Sequence, residues 1–332
     1  MITNSLEAAV AQRTAAHHTA QRPDAVIEVS GLRKDYGEHQ AVRGIDLEVV
    51  RGEIFAFLGP NGAGKTTTVE ILEGFRTASA GSVRVLGADP ARASRTLRER
   101  IGIVLQESAP EAGLTVRECL SLYAGYYRAP RPVEETLSLV GLDTEADQRA
   151  TTLSGGQRRR LDVGLALIGD PELIFLDEPT TGFDPSARRA AWDVIGGLRE
   201  LGKTVFLTTH YMEEAERLAD RIAIIAAGQI IAEGTPRTLG GRDTSEARIT
   251  FTLPDGTTAA ADLPPLLAER AEEQHGGQVT LTSAAVAADL HTLSGWALER
   301  RFDLDDLEVR RATLEDVYLA LTAQHEHHDN RS

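Results

Sequence analysis

A glycine-rich segment, IFAFLGPNGAGKTT at residues 54–67, carries the strongest chemical signal in the sequence. Its pattern indicates a buried strand, a loop and the start of a helix, and the glycines allow successive backbone N–H groups to curl around phosphate oxygens. In such a loop Lys65 reaches the β- and γ-phosphates of a nucleotide, and the Thr66 hydroxyl coordinates Mg²⁺. The segment therefore predicts a phosphate-binding loop that consists of Gly59, Pro60, Asn61, Gly62, Ala63, Gly64, Lys65, Thr66 and Thr67.

Other predicted strands also lead into residues that could take part in chemistry at phosphate. The apolar run LIFLDEP ends in Asp177 and Glu178, while Gln106 and His210 each follow a further strand. Taken alone, two acids at a strand end are most simply solvated, but beside a phosphate loop they can hold Mg²⁺ and activate water. Upstream of the loop, Tyr36 could stack on a purine, although a lone aromatic at this place is more often an ordinary strand residue.

Composition limits the classes of partner. The 332 residues include 35 Lys plus Arg and 50 Asp plus Glu, a net charge of −15 that would repel a nucleic-acid backbone or an anionic membrane. The one cysteine, Cys119, excludes an internal disulfide framework. No apolar run reaches the roughly 20 residues that span a bilayer, and no signal peptide is evident. We therefore expect a cytosolic protein whose membrane role, if any, requires a partner.

The order of the predicted elements indicates an α/β fold in more than one domain. A run such as that at 173–177, apolar without alternation, is typical of a strand covered on both faces in a parallel sheet. Strands and helices alternate up to about residue 240, behind an antiparallel β lead-in. The predicted organisation is a tail at 1–24, a nucleotide-binding domain at 25–240 with a helical subdomain at about 107–168, a small α+β domain at 241–323 and a tail at 324–332.

The last 90 residues are predicted to alternate between strands and helices. A Thr-x-x-Asp sequence, Thr313 and Asp316, resembles a capping box with Asp in place of Glu and predicts the start of the last helix. The predicted strands are 248–253, 279–282 and 307–312, and the predicted helices are 264–274, 284–301 and 314–323. No grouping of catalytic type occurs in this part of the sequence.

The motifs as an ordered set resemble those of the ATP-binding cassette (ABC) ATPases, over about residues 25–240. The most specific is LSGGQ at 153–157, because it distinguishes this family from other P-loop NTPases. The segments TTHYMEEAERLADRIAI and ATLEDVYLALT look like those of the ATPase subunits of daunorubicin-type drug exporters. The resemblance implies a P-loop NTPase cassette core with a mixed sheet, flanking helices, an antiparallel β lead-in and an inserted helical subdomain, plus the small C-terminal domain.

The resemblance also implies roles for the residues at the strand ends. Asp177 holds Mg²⁺ through water, and Glu178 aligns or deprotonates the attacking water. Gln106 contacts the metal and the water, and His210 hydrogen-bonds the γ-phosphate. Tyr36 becomes the platform on which adenine stacks.

The same resemblance implies that a complete site needs two chains, since one chain has one phosphate loop and one LSGGQ. The residues Ser154, Gly155, Gly156 and Gln157 would reach the nucleotide of the opposite subunit. Asp184 resembles the acid that crosses this interface, although Phe183 stands where leucine is more usual. The implied partners are a second copy or a homologous ATPase subunit, and the implied cofactors are ATP and Mg²⁺.

The expected function is an ATPase subunit that dimerises around two MgATP and drives a separate membrane permease, with export of a drug or other hydrophobic compound. It would sit on the cytoplasmic face of the membrane through the permease, which docks near residues 107–150. One alternative is a soluble ABC protein acting on ribosomes or DNA, but the chain shows no second cassette. The other is a regulatory ATP-binding protein without turnover, which the intact Glu178 and His210 disfavour.

Overall fold

A computed structural model describes residues 24–92, 94–105, 113–242, 246–253, 263–273, 277–301 and 303–329. The described chain divides into two compact units. One contains residues 24–55, 61–208 and 227–229, and the other contains residues 56–60, 209–226 and 230–329.

The strands and helices are numbered here in chain order. The strands are β1 (Ala25–Tyr36), β2 (His39–Val50), β3 (Ile54–Leu58), β4 (Ala80–Val85), β5 (Ile101–Val104), β6 (Leu173–Asp177), β7 (Thr204–Thr209), β8 (Arg221–Ala226), β9 (Gln229–Gly234), β10 (Ala247–Thr252), β11 (Ala271–Glu273), β12 (Gln278–Ser283) and β13 (Asp305–Arg310). The α-helices are α1 (Lys65–Leu72), α2 (Arg95–Arg98), α3 (Val116–Ala124), α4 (Val133–Leu139), α5 (Gly155–Leu167), α6 (Pro185–Glu200), α7 (Met212–Leu218), α8 (Pro265–Ala268), α9 (Val286–Arg300) and α10 (Leu314–Asp329). Short 3₁₀ turns occupy Pro90–Arg92, Ala150–Thr152 and Leu239–Gly241.

The predicted antiparallel lead-in is a three-stranded sheet of order β2-β1-β4. The strands β1 and β2 form a long hairpin that turns at Gly37, whose φ of 61° lies in the left-handed region that glycine adopts without strain. The third strand, β4, pairs antiparallel with β1 after the phosphate-binding segment. The lead-in therefore takes two of its strands from residues 25–50 and the third from further along the chain.

A six-stranded sheet of order β5-β6-β7-β3-β8-β9 carries the chemical motifs. The strands β5, β6 and β7 are parallel, and the start of β3 lies beside the start of β7, since the Val205 amide donates to the Glu53 carbonyl at 3.0 Å. Every residue of β3 and β7 is buried, as expected for strands covered on both faces. The loops that follow these strands consequently emerge at one edge of the sheet. The predicted hairpin at Gly228 is confirmed, with positive φ at Ala227 and Gly228 joining β8 to β9.

Three helices, α3, α4 and α5, form the helical region between residues 113 and 168. The predicted capping box at the start of α3 is present: the Thr115 hydroxyl accepts from the Glu118 amide, and the Glu118 carboxylate accepts from the Thr115 amide. Leu120, Leu137 and Leu161, one from each helix, are fully buried. This region thus has an apolar interior of its own.

The C-terminal part contains a four-stranded sheet of order β11-β12-β10-β13 with a core built on Ile249, Phe251 and Trp296. The helix predicted over 264–274 is wrong beyond Ala268, because residues 271–273 form β11 and pair with β12. Backbone pairing with a neighbouring strand overrides the moderate helix propensity of this segment. The strand and helix predictions for β10, β12, β13 and α9 are confirmed within a few residues.

The last helix, α10, begins at the predicted cap, where the Asp316 carboxylate accepts from the Thr313 amide at 2.8 Å. Its first turns pack against the six-stranded sheet. Leu314 shares a buried cluster with Leu58 of β3 and Ile224 of β8, and Tyr318 packs against that cluster. The chain therefore returns to the central sheet after forming the C-terminal sheet. No helix in the described ranges is long and apolar enough to cross a membrane.

An ion-pair cluster at the start of β6 gives a pH-dependent contribution to stability. The Glu172 carboxylate accepts from Arg51 at 2.7 Å and also pairs with Arg100. Hydrogen bonding by Arg100, opposed by partial burial and reinforced by Arg51, lowers the pKa of Glu172 from 4.5 to about 2. The stabilisation is therefore complete above the unfolded pKa and disappears as the pH falls through the folded one.

We predict that Glu172→Gln lowers the free energy of unfolding at pH 7 by on the order of 1 kcal/mol, because solvent screens a pair that is a third exposed. The difference from wild type should narrow as the pH is lowered from about 5 to 3. Denaturant titrations at several pH values measure this, with Glu299→Gln on the surface of α9 as the charge-matched control. A deficit that stays constant across this range would contradict the prediction.

Candidate nucleotide-binding site

The phosphate-binding segment forms a tight loop between β3 and α1. Gly62 and Gly64 have φ values of 80° and 103°, which only glycine adopts without strain. Gly64 caps α1, and its carbonyl accepts from both the amide and the hydroxyl of Thr68, at 3.0 and 2.8 Å. The N-terminal end of α1, with the positive end of the helix dipole, thus faces the loop, an arrangement that binds anions.

Lys65 is the charged residue at the start of α1, and the structure places it with the two predicted acids. Only 6% of its surface is exposed. Burial lowers the pKa of the Lys65 amine, while the carboxylates of Glu178 and Asp177 oppose this shift. A cation held in this way beside the loop is suited to polyphosphate, because a bound anion would favour its charged form.

Asp177 and Glu178 are fixed at the end of β6 by its neighbour β7. Asp177 lies opposite Thr208 in the parallel register, and the Thr208 hydroxyl donates to the Asp177 carboxylate. The Glu178 amide donates to the carbonyl and to the hydroxyl oxygen of Thr208, each at 3.1 Å. Glu178 has a φ of 45°, a left-handed conformation that is strained for a residue with a side chain. The Thr181 hydroxyl donates to its carboxylate at 3.1 Å.

Glu73, at the end of α1, is a third acid in this neighbourhood that sequence reasoning missed. It is buried, and burial together with the charges of Asp177 and Glu70 raises its pKa to about 8. Its carboxyl group is therefore mostly protonated at neutral pH. The sequence gives no sign of this burial or of the raised pKa, because Glu73 falls within the stretch whose pattern predicts an ordinary helix.

The LSGGQ segment forms the start of α5. The Ser154 hydroxyl accepts from the Gln157 amide at 3.3 Å, and the Gln157 side chain accepts from the Ser154 amide at 2.9 Å, which completes a capping box. Ser154 and Gly155 are exposed, and a Cβ atom added at Gly155 would meet nothing within 4 Å. At Gly156 such an atom would lie 3.6 Å from the Ala187 side chain. The helix start is thus capped, and at Ser154 and Gly155 it is open to approach from outside.

Asp184 caps α6, where its carboxylate accepts from the amides of Ser186 and Ala187 at 2.8 and 2.9 Å.

Tyr36 ends β1 with 40% of its surface exposed. The Lys34 ammonium and the Arg76 guanidinium lie 5.2 and 5.6 Å from the centre of its ring. The ring is therefore accessible and already engaged by cations.

For the remaining predicted site residues the structure gives fewer contacts or none. His210 directly follows β7 and its ring lies 4.0 Å from that of Tyr211, within the second unit. Thr66 is exposed on the first turn of α1, next to Thr67. Gln106 lies outside the described residues.

Comparison with known proteins agrees with this geometry. The model of the ABC transporter family matches residues 42–181, and a model of the C-terminal domain of ABC-transporter-domain-containing proteins matches residues 247–313. A Nod factor export ATP-binding protein I of Paraburkholderia xenovorans strain LB400 is 40% identical over 91% of this chain and 98% of its own length. The daunorubicin resistance ATP-binding protein DrrA3 of Streptomyces coeruleorubidus is 40% identical over 90% of this chain and 96% of its own.

Solved structures give the same assignment for the cassette. The dimeric structure of a post-hydrolysis ATP-binding cassette bound to ADP and Pi aligns with a TM-score of 0.56 and 25% identity. That alignment covers 63% of this chain and 98% of the solved one.

The fold and the loop with its strand-end acids define a nucleotide-binding ATPase of the P-loop class. The relatives make the assignment more specific: this chain belongs to the ABC transporter ATP-binding proteins. It is accordingly an ABC transporter ATPase that binds ATP. The predicted family and fold class are both confirmed.

The hydroxyl of Thr208 provides a direct test of how the strand-end acids are held. We predict that Thr208→Val, which keeps the shape of the side chain, lowers the free energy of unfolding by about 1–3 kcal/mol and reduces ATP turnover. Both changes follow because Asp177 loses a donor and Glu178 loses an acceptor. Thr208→Ser restores the hydroxyl and should retain most of the stability and turnover. Chemical denaturation and phosphate release measure the two effects, and equal damage in both variants would contradict this account.

Proposed function

We propose that this chain is the ATP-hydrolysing subunit of an exporter, in which two copies close around two MgATP and drive a separate membrane permease. The observation that carries the proposal is the placement of buried Lys65 with Asp177 and Glu178 beside the phosphate-binding loop. This arrangement supplies a positive charge that can bind phosphate and a carboxylate that can align or deprotonate the attacking water. Phosphoryl transfer needs little else from a protein, because positioning and charge neutralisation account for most of its catalysis.

Mg²⁺ would be held by the Thr66 hydroxyl and the Asp177 carboxylate, and by Gln106. The residues fit the ion, since Mg²⁺ prefers hard oxygen ligands and is usually bound by one or two carboxylates together with substrate phosphates. When bound, it neutralises charge on the β- and γ-phosphate oxygens. The Thr208 hydroxyl, which donates to Asp177, would keep that carboxylate directed toward the loop.

The protein's own residues then divide the work of hydrolysis. Lys65 binds the β- and γ-phosphates, and Glu178 aligns or deprotonates the water that attacks the γ-phosphate. His210 hydrogen-bonds the γ-phosphate, and Tyr36 stacks on adenine. The exposure of Tyr36, 40% of its surface, supports that last role, because a base can reach the side chain.

The dimer is proposed because the LSGGQ helix start is exposed. The exposed Ser154 and Gly155, together with Gly156 and Gln157, would approach the γ-phosphate bound to the other copy. Asp184, on the neighbouring α6, would lie at the interface between copies. The structural relative that is a dimer bound to ADP and Pi supports such an arrangement, and a homologous subunit could replace the second copy.

The direction of transport is proposed from the relatives. One of them is named for Nod factor export and another for daunorubicin resistance. We infer export of a drug or other hydrophobic compound, with the helical region near residues 107–150 docking the permease. The chain would then act on the cytoplasmic face of the membrane.

We predict that Glu178→Gln abolishes most phosphate release while leaving ATP affinity within about twofold, because the amide cannot take a proton from water. The variant should accumulate as an ATP-bound dimer in gel filtration, since its γ-phosphate is not lost. Lys65→Ala is the complementary variant and should lose ATP binding. If Glu178→Gln hydrolysed ATP normally and stayed monomeric with ATP, the assigned role of Glu178 would be wrong.

A further inference from the structure

We propose that Arg159 is a positioning residue for hydrolysis, which holds the backbone on both sides of Glu178 and ties it to the LSGGQ helix. The inference rests on the proposed function, in which Glu178 aligns the attacking water. It concerns the second of three consecutive arginines, residues 158–160, that follow LSGGQ.

The Arg159 guanidinium lies buried between α5 and the ends of two strands. Its Nε donates to the Pro179 carbonyl at 3.0 Å, and its Nη2 donates to the Asp177 carbonyl at 2.9 Å. These two carbonyls flank Glu178 in the chain. Its Nη1 donates to the Leu105 carbonyl just beyond β5. One side chain therefore joins the LSGGQ helix to the end of β5 and to the segment that carries the catalytic acid.

The chemistry of arginine suits this role. A guanidinium presents five N–H donors in a fixed plane, so that it can satisfy three separate carbonyl groups at once. Burial of a cation is costly unless hydrogen bonds and a counter-charge compensate, and here the Asp162 carboxylate lies 3.8 Å away in the same helix. Lysine could keep the charge but could not satisfy the same carbonyls in one plane.

The conformation of Glu178 explains why its neighbours need to be held. Its φ of 45° is unfavourable for a residue with a side chain and persists only where the surroundings fix it. The Thr208 carbonyl accepts a hydrogen bond from the Glu178 amide, and Arg159 donates to the carbonyls of the residues before and after Glu178. Together they fix the direction of the Glu178 side chain, so that a movement of α5 is passed to the catalytic carboxylate.

The flanking arginines make different contacts. Arg160 donates to the Gly141 carbonyl at 2.6 Å, in the loop after α4. Arg158 reaches the Leu153 carbonyl at 3.5 Å within its own helix start. Arg160→Gln is thus a matched control: it removes the same type of side chain from the next position of α5, where that side chain contacts Gly141 and not the residues beside Glu178.

The test compares Arg159→Gln, Arg159→Lys and Arg160→Gln in the full chain. We expect Arg159→Gln to lower kcat for ATP by at least about tenfold, with ATP affinity changed by less than about twofold. Because hydrolysis slows after binding, the variant should accumulate ATP-bound dimer as Glu178→Gln does, a result that simple loss of structure would not give. Arg159→Lys should fold and show a smaller loss of kcat, and Arg160→Gln should match wild type.

The outcomes separate the two proposals. If Arg159→Lys and Arg159→Gln turn over ATP at the wild-type rate while Glu178→Gln is inactive, the role of Arg159 is wrong and the proposed function stands. If the Arg159 variants lose ATP affinity and kcat together, Arg159 acts on the fold as a whole and this inference is overturned. If Glu178→Gln itself retains turnover, the proposed function fails at its catalytic residue.

Discussion

The parallel pairing of β6 with β7 is the constraint on which the site depends. Its register places Asp177 opposite Thr208, and the Thr208 hydroxyl and carbonyl then hold both acids at the strand end. Both strands are almost fully buried on both faces, so a shift of one residue would exchange the side chains that pack on the two faces and would move the acids away from Lys65. The packing that stabilises the sheet therefore also sets the geometry of the chemistry.

Several ionisable side chains meet at this edge of the sheet. Lys65 is buried beside Asp177 and Glu178, and burial and nearby acids raise the pKa of Glu73 to about 8. The guanidinium of Arg159 lies behind the same strand end and binds main-chain carbonyls. Such an arrangement is preorganised for a charged ligand, since its groups are held in place before the ligand arrives and need little rearrangement when it binds.

Sequence patterns predicted the parts of the molecule that depend on local signals. The loop at 54–67, the buried strands and the caps at Thr115 and Thr313 follow from nearest neighbours in the chain and agree with the structure. The helix predicted over 264–274 was wrong because a strand neighbour decides that segment. Arg159 and Thr208 were missed because their importance arises from contacts with distant parts of the chain. The order of parallel strands could have indicated Thr208 beside Asp177, but nothing in the triple arginine distinguishes its middle member.

If each chain holds half of a hydrolytic site, as we propose, then mixing two variants that are inactive for different reasons should restore activity. Lys65→Ala lacks a functional phosphate loop, and Gly155→Asp places a negative charge in the open space at the LSGGQ helix start. We expect each variant alone to be inactive and an equal mixture to recover up to about a quarter of wild-type ATP turnover, because half of the dimers then contain one intact composite site of two. A mixture no more active than its separate components would contradict the account.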